Sequence, residues 1–157
     1  MLIESLMSLL MSSGQLNIPP QELECLALNV YHESRSESEL GKIAVTHVVF
    51  NRMKSEKYPD TACKVIKKAK YEAGKPKKNA CHFSWYCDGK ADTPLDKAAW
   101  DESISVVYRA YVIYQLGTDV TSGSIMYHAK YVKPYWRSAY KRITTIDTHI
   151  FYGEKKK

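Results

Sequence analysis

The sequence lacks a long apolar run, and this absence limits how the chain can relate to a membrane. A membrane-spanning helix needs about 20 apolar residues, whereas residues 1–11 form a shorter apolar stretch interrupted by Glu4. No Lys or Arg precedes the stretch and no A-x-A cleavage site follows it, so neither a transmembrane segment nor a secretory signal is predicted. We expect an amphipathic N-terminal helix whose apolar stripe comprises Leu2, Leu6, Leu9 and Leu10.

Cysteine and phenylalanine are also scarce. The 4 cysteines are too few for a disulfide-dense scaffold, and none has the C-x-x-C spacing of a zinc site. In a chain without an export signal we expect free thiols, with a Cys81–Cys87 disulfide as the alternative. Only 3 Phe accompany 12 Tyr and 3 Trp, a mixture typical of a wet cleft. We expect no metal and no cofactor.

What is present is ordinary for one globular domain with a real core: 157 residues, 45% of them apolar and 25% charged. The 23 Lys and Arg exceed the 17 Asp and Glu, so we expect attraction to anionic polymers such as those of a bacterial envelope. Lysine-rich segments lie at residues 64–70 and 75–78, but no nucleic-acid-binding motif accompanies them. No specific nucleic acid is expected as a partner, and the protein is expected to be a monomer.

Hydrophobic periodicity and capping signals predict a mainly helical chain. Helices are predicted over residues 20–34, 37–55, 61–68 and 94–116. Ser36, Asp60 and Thr93 are the predicted caps of the last three, and Gly117 is predicted to end the last one. The 37–55 helix is apolar nearly all round, which is typical of an interior helix.

The remaining segments predict a minor β element, so the fold class is mainly α, within the α+β class. Residues 70–81 are predicted to form a basic loop, and residues 82–86 a short strand or an ordered cleft loop. A small hairpin is predicted from residues 143–146 and 149–152. The chain then divides into an N-terminal helix and turn (residues 1–20), one domain (residues 21–153) and a basic tail (residues 154–157).

Glu33 is the first candidate for chemistry. It lies on the extension of an apolar helical face, near the end of the helix, where burial and the helix dipole both raise a carboxyl pKa. A carboxylic acid that is neutral at physiological pH is what a general acid requires. The alternative is a surface residue at a frayed helix end, paired with Arg35, and the pattern alone favours that interpretation.

The neighbourhood of Glu33 changes this balance. Residues 33–37 read E-S-R-S-E, and residues 41–52 carry the spaced pattern G-x-x-A-V-x-x-V-x-x-N-R. With later matches in the same order, these residues resemble the SleB-type cell wall hydrolases, a family of spore-cortex-lytic enzymes and related phage and bacterial proteins. The later matches are Pro59, Val65, Phe83-Ser84, Trp100, Gly123, Tyr127-His128, Trp136, His149 and Phe151-Tyr152.

This resemblance spans residues 22–153 and implies a lysozyme-like domain that cuts the glycan strands of peptidoglycan. The family cleaves between N-acetylmuramic acid and N-acetylglucosamine, as a lytic transglycosylase or a muramidase, and its catalytic acid corresponds to Glu33. His32 and Ser36 replace glycines of the family pattern, so the turn around the acid is expected to differ locally, and His32 is expected to be able to touch the acid.

Further site residues follow from the same resemblance. Glu37, Ser84 and Tyr127 are predicted as secondary catalytic or cleft residues, although first-turn helix stabilisation explains Glu37 equally well. The predicted substrate-binding residues are Phe83, Trp85 and His128. Core packing is the alternative for Trp85 and Tyr127, and a structural role is the alternative for His128 and His149. The predicted supporting residues are Arg35, Asn51 and Arg52, with Arg35 paired to Glu37 or Asp88.

Rival functions remain open at this point. A zinc amidase would also degrade peptidoglycan, but His32-Glu33 does not continue as H-E-x-x-H because residue 36 is Ser. A non-catalytic basic module on nucleic acid or envelope polymers is the second alternative. The absence of an export signal suggests a phage endolysin, made in the host cytoplasm and acting on the cell wall after release.

Overall fold

The computed structural model describes Leu2, Ser5, Leu9 and residues 18–156. Leu2, Ser5 and Leu9 are helical, and the other residues of the predicted N-terminal helix lie outside the described part. The predicted α+β class is confirmed. The α-helices are α1 (Pro20–Ser34), α2 (Glu39–Lys54), α3 (Ala62–Ile66) and α4 (Lys97–Gln115). Among the described residues, no helix has the length and apolarity that a membrane crossing demands.

The strands form two small antiparallel units. One is a hairpin of β1 (Ala69–Glu72) and β2 (Lys75–Cys81). The other is a sheet in the order β3-β5-β4, built from β3 (Met126–Ala129), β4 (Tyr140–Ile146) and β5 (His149–Glu154). Short 3₁₀ helices occupy Ser84–Cys87 and Tyr135–Ala139. The hairpin predicted near the C-terminus is confirmed as β4–β5.

Helix α1 begins at the predicted residue, whereas α2, α3 and α4 begin one to three residues later than predicted, because each of these three is capped by a different side chain. Ser38 rather than Ser36 caps α2, its hydroxyl accepting from the Gly41 N–H at 3.2 Å. Thr61 rather than Asp60 caps α3, and Asp96 rather than Thr93 caps α4. Several Ser, Thr and Asp residues precede each helix, so composition alone did not select the cap.

The predicted basic loop over residues 70–81 is wrong, since these residues form most of the β1–β2 hairpin. Ala73 and Gly74 form its turn, with φ values of 50° and 76°, as a two-residue hairpin connection requires. Nearly every side chain of the hairpin is exposed, so the alternation of apolar and polar residues that marks a half-buried strand is absent.

Helix α2 lies in the interior, as its all-round apolar pattern predicts. It has buried residues on every side and contacts α1, α3 and α4. The main core lies between these helices. A second small cluster joins α2 to the three-stranded sheet through Ala44, Val48, Ile146 and Phe151. Helix α2 therefore connects the helical layer to the sheet, and the candidate site lies at this junction.

The expectation of free thiols is wrong, because all four cysteines are paired. Cys25 on α1 is bonded to Cys63 on α3, and Cys81 at the end of β2 is bonded to Cys87. Local sequence suggested the second pair as the alternative. The first pair joins residues 38 positions apart and depends on how α1 packs against α3, which spacing does not reveal.

Candidate active site

Glu33 lies in the last turn of α1 and is half-buried. Its Oε2 accepts a hydrogen bond from the Tyr127 hydroxyl at 3.0 Å. Burial raises the pKa of the Glu33 carboxyl, while the Tyr127 hydrogen bond and the charge of Arg52 act in the opposite direction without cancelling it. The acid predicted from the helix pattern is therefore sheltered, hydrogen-bonded and biased toward its neutral form.

Arg52 supplies the positive charge at this site from the buried side of α2. Its Nε donates to the Ile125 carbonyl at 2.7 Å, and its guanidinium lies 5.1 Å from the ring centroids of both Tyr58 and Phe83. Within the described part of the chain, its Nη1 is buried and has no hydrogen-bond partner, and no carboxylate lies within 4 Å to form an ion pair. Arg52 is thus a fixed cation whose field reaches Glu33.

Tyr127 comes from β3, on the far side of the site from α1. Its ring contacts His149 and Phe151, with centroid distances of 5.0 and 5.5 Å, and Phe83 at 6.5 Å. Burial and the adjacent Glu33 carboxyl raise the pKa of the Tyr127 phenol well above its ordinary value. Tyr127 therefore stays protonated and donates its hydrogen bond to Glu33 at any pH the enzyme meets.

Glu37 lies beside the turn between β4 and β5. It accepts a hydrogen bond from the Thr148 hydroxyl, and its Oε1 is 3.4 Å from His149 Nδ1. Neighbouring Ser38 donates to Asp147 from its N–H at 2.9 Å and from its hydroxyl at 2.6 Å. Glu37 is thus held by the sheet, and in the described part of the chain no hydrogen bond joins it to Glu33.

Residues 83–85 contact side chains that surround or adjoin the acid. Phe83 is buried between Arg52 and Tyr127. Trp85 is also buried, stacks on His32 at 4.7 Å and donates its indole N–H to Asn29 at 2.9 Å. Both rings pack against protein, which favours the core-packing alternative for Trp85. Only Ser84, at the start of the 3₁₀ helix, is exposed.

His32 does not hydrogen-bond to the acid that follows it in sequence. Its Nε2 is 2.8 Å from the Asp92 carbonyl oxygen, and its ring stacks on Trp85. The side chain that replaces the family's glycine therefore fastens the end of α1 to the segment before α4, without direct contact to Glu33.

Two predicted roles are corrected. His128 was predicted to bind substrate, but side chains alternate along a strand, and it points away from Tyr127 into a buried aromatic cluster. Its Nε2 lies 2.8 Å from Tyr152 Oη, and its Nδ1 lies 2.8 Å from the Ala129 carbonyl oxygen.

Arg35 pairs with neither of the carboxylates predicted for it. Its guanidinium lies over the Tyr31 ring, 4.5 Å from the ring centroid, and donates to the Tyr31 hydroxyl.

Asn51, predicted as a supporting residue, hydrogen-bonds to the segment before β3 and to α4. Its amide donates to Asp119 Oδ2 at 2.7 Å and to the Ser124 carbonyl at 2.9 Å, and its own oxygen accepts from the Tyr114 hydroxyl at 2.8 Å. These bonds fix the segment that leads into β3. The position of Tyr127 opposite Glu33 follows from this anchoring.

Sequence reasoning missed Asp119 and His47, which complete that anchor. Asp119 accepts from the backbone N–H groups of Thr121 and Gly123 at 2.8 and 2.7 Å. Buried His47 accepts from the Val120 N–H at 3.1 Å and lies 2.8 Å from the Ala110 carbonyl. The D-x-T-x-G spacing at residues 119–123 is the signal that predicts such a loop, because an Asp side chain commonly binds the backbone two residues on.

The residues described contain no group of three His, Cys, Asp or Glu side chains arranged to hold a metal ion. The chemistry available at the site is therefore that of one sheltered carboxylic acid, a phenol that donates to it and a buried guanidinium. This combination suits proton donation followed by proton acceptance at one carboxyl group.

Comparison with known proteins gives a consistent result. A model of the cell wall hydrolase family matches residues 36–152. The crystal structure of the catalytic domain of the Bacillus cereus SleB protein is 25% identical with a TM-score of 0.60, covering 87% of this chain and 93% of that one. The catalytic domain of the germination-specific lytic transglycosylase SleB from Bacillus anthracis is 24% identical with a TM-score of 0.56, covering 87% and 98%. No curated protein matches the chain.

The family match covers well over half of the chain, and it includes Arg52, Tyr127 and the sheet, although it begins three residues after Glu33. The overall fold is likewise similar to that of a solved catalytic domain. The chain therefore belongs to the cell wall hydrolase family.

Proposed function

We propose that this cell wall hydrolase degrades peptidoglycan by cutting its glycan strands between N-acetylmuramic acid and N-acetylglucosamine. Glu33 acts first as general acid and then as general base. The observation that carries the proposal is the half-buried Glu33 carboxyl, which is hydrogen-bonded to Tyr127 and whose pKa is raised by burial. The B. anthracis neighbour, described as a lytic transglycosylase, supports the same class of reaction.

In the proposed mechanism, Oε1 of Glu33 carries the acidic proton, since Oε2 accepts the hydrogen bond from Tyr127. This proton passes to the glycosidic oxygen, the bond from that oxygen to the muramic acid C1 breaks, and an oxocarbenium-like centre develops. The hydroxyl leaving group departs as a neutral alcohol, and Glu33 is left as a carboxylate.

Arg52 and Tyr127 stabilise that carboxylate. Both act against the effect of burial on the pKa of Glu33, and both are held in place before the sugar arrives. The carboxylate then removes the proton from the 6-hydroxyl of the same muramic acid as that oxygen attacks C1. A 1,6-anhydro product forms, and Glu33 regains its proton.

An internal hydroxyl needs no second carboxylate, because proximity supplies the advantage that a positioned nucleophile would otherwise provide. Glu37, the nearest candidate in sequence for activating a water, is already engaged by Thr148 and His149. This favours the lytic transglycosylase over the muramidase. The two are distinguished by mass spectrometry of the released sugars, since the anhydro product is one water lighter.

The test of the acid is the clearing of a peptidoglycan suspension by Glu33→Gln and by the matched control Glu24→Gln, an exposed residue of the same helix. Glu33→Gln is expected to lower the rate about 10²–10⁴-fold, the usual contribution of a general acid. Glu24→Gln should clear at the wild-type rate. Full activity of Glu33→Gln would overturn the mechanism, and activity that a chelator abolishes would indicate a zinc amidase.

We also propose that the protein works outside the cytoplasm, in the envelope, as a phage endolysin does after release. The two disulfides support this location, because disulfides persist in oxidising compartments. Expressed in a bacterial cytoplasm, the protein is expected to lyse cells only when the membrane is permeabilised. Lysis that begins without permeabilisation would contradict this proposal.

A further inference from the structure

The net positive charge of the chain is concentrated in one segment. Residues 64–82 contain seven lysines, one glutamate and no other residue with a full charge, which gives a net charge of +6. The whole chain also has a net charge of +6. The positive and negative charges of the remaining residues therefore cancel, and the attraction of this protein to anions originates in the end of α3 and the β1–β2 hairpin.

All seven of these lysines are exposed. Two of them face a carboxylate: Lys77 lies 2.9 Å from Glu72, and Lys64 lies 3.8 Å from Asp60. The other five form no ion pair within the described part of the chain: they are Lys67, Lys68, Lys70, Lys75 and Lys78. Unpaired lysines crowded on one hairpin repel each other, and a polyanion relieves that repulsion.

Part of this charge lines a groove. Lys64, Lys67 and Lys68 border a cavity of about 450 Å³, together with Gln21 and Tyr71. The Tyr71 side chain is 54% exposed, and its hydroxyl is 3.1 Å from that of Tyr86. Three ammonium groups beside a phenol ring and a polar side chain suit a phosphate group carried on a sugar or polyol chain.

The groove is structurally linked to the catalytic centre. The Cys81–Cys87 disulfide closes the segment that follows the hairpin, and within it Phe83 packs against Tyr127 and under Arg52. The groove is thus connected to Phe83 through the hairpin and the disulfide-closed segment that follows it. The surface fits an envelope polymer better than a nucleic acid, because the enzyme acts on the cell wall.

We propose that this lysine groove, defined by Lys64, Lys67, Lys68 and Tyr71, binds the phosphate groups of anionic polymers attached to the cell wall. The inference goes beyond cleavage, because it concerns retention on the wall and does not depend on Glu33. It predicts that the protein binds phosphate-bearing walls more tightly than bare peptidoglycan, and that salt weakens the difference.

The experiment is co-sedimentation of the Glu33→Gln protein with Gram-positive walls that carry teichoic acid and with the same walls stripped by hydrofluoric acid. Lysine near an anionic surface contributes about fivefold to binding, so Lys64→Gln/Lys67→Gln/Lys68→Gln should bind the unstripped walls about 100-fold more weakly at low ionic strength. Its binding to stripped walls should not change. The triple arginine variant at these positions, which keeps the charge, should bind as before.

The matched control removes three exposed lysines elsewhere, as Lys130→Gln/Lys133→Gln/Lys141→Gln, and should bind nearly as well as the parent. If the two triple glutamine variants lose wall binding equally, net charge accounts for the binding and the proposed lysine groove is wrong. Equal binding to stripped and unstripped walls, or equally tight binding to duplex DNA, would overturn the envelope polymer as ligand. Every protein in this test carries Glu33→Gln, so differences in binding among them come from the lysines; clearing of the walls by the Glu33→Gln parent would instead count against the proposed catalytic acid and leave the binding comparison separate.

Discussion

At the scale of single residues, the proton affinity of Glu33 is set by opposing contacts. Burial raises its pKa, and the Tyr127 hydrogen bond and the charge of Arg52 lower it. In the proposed mechanism, the acid must hold a proton before the reaction and must also release it to the substrate. Burial favours the protonated form of Glu33, and Tyr127 and Arg52 stabilise the carboxylate that is left when the proton is released.

Tyr127→Phe removes one of the two partners of the Glu33 carboxylate, and the direction of its effect on the Glu33 pKa can be predicted. Without the hydrogen bond that favours the carboxylate, the pKa of Glu33 should rise further. Activity that needs the protonated acid is lost as pH rises through this pKa, so the alkaline limb of the kcat/KM profile should move to higher pH.

Tyr135→Phe is the control for this substitution, since Tyr135 is 95% exposed and its hydroxyl should not affect the profile. A limb that stays in place, or that moves to lower pH, in Tyr127→Phe would show that the phenol does not stabilise the Glu33 anion.

Sequence reasoning at this scale was limited by how local the signals are. Helical periodicity places Glu33 on the extension of an apolar stripe, but the pattern alone favoured a surface residue, and the family resemblance was needed to choose the sheltered acid. The contact between Glu33 and Tyr127 joins residues 94 positions apart, and only the resemblance to a known family suggested that both belong to one site. His128 was misassigned because adjacent strand residues face opposite sides, and a motif does not reveal which side faces the acid.

At the scale of elements, the N-terminus of α2 is fastened to the turn between β4 and β5. A Cβ atom on Gly41 would lie 2.5 Å from Asp147 Oδ2 and 3.0 Å from the Glu37 Cβ. The close approach allows Asp147 to accept both hydrogen bonds from Ser38. Glycine is therefore needed here for space, and the sheet is positioned against the helices through this contact.

Gly41→Ala is expected to lower the free energy of unfolding by about 1–3 kcal/mol, the usual cost of overpacking, as measured by urea denaturation. The matched control is Gly153→Ala, where the added Cβ would meet the Ile143 Cδ1 atom at 2.6 Å. That atom ends a flexible side chain that can move away, so the control should lose less stability. A Gly41→Ala protein as stable as the wild type would contradict the close contact.

Elements were predictable to the extent that they bury an apolar face. Helices α1 and α2 follow from periodicity, and β4–β5 follows from a short alternating segment on each side of a turn. The β1–β2 hairpin was missed because lysines occupy both of its faces, and neither face contributes to the core. Its strands are specified by the turn and by the disulfide at its end, which hydrophobic patterns do not report.

At the scale of the whole molecule, the two disulfides are expected to differ in their effect on stability. Cys25–Cys63 spans 38 positions and Cys81–Cys87 spans 6. Loop-closure entropy predicts stabilisation of about 4 kcal/mol for the first and about 2 kcal/mol for the second. Thermal unfolding of the Cys25→Ala/Cys63→Ala and Cys81→Ala/Cys87→Ala proteins measures this difference.

The effect on catalysis should run in the opposite order. The Cys81–Cys87 disulfide encloses Phe83, which packs against Tyr127 and Arg52, so its loss should lower the clearing rate more than loss of the other pair. A reducing agent should abolish both differences. Identical unfolding temperatures for the two double variants under oxidising conditions would contradict the predicted order in stability.

The pairing of β3 with β5, in which Tyr127 lies opposite Phe151 and His128 opposite Ile150, has a consequence for how such chains can vary in length. Deleting a single residue between Asp119 and β3 would slide the strand by one position and bring the imidazole of His128 to the place of the phenol, whereas inserting one would bring Met126 there. The connection before β3 should thus tolerate changes of side chain far better than changes of length, whereas the exposed tip of the lysine hairpin can grow or shrink without disturbing the acid.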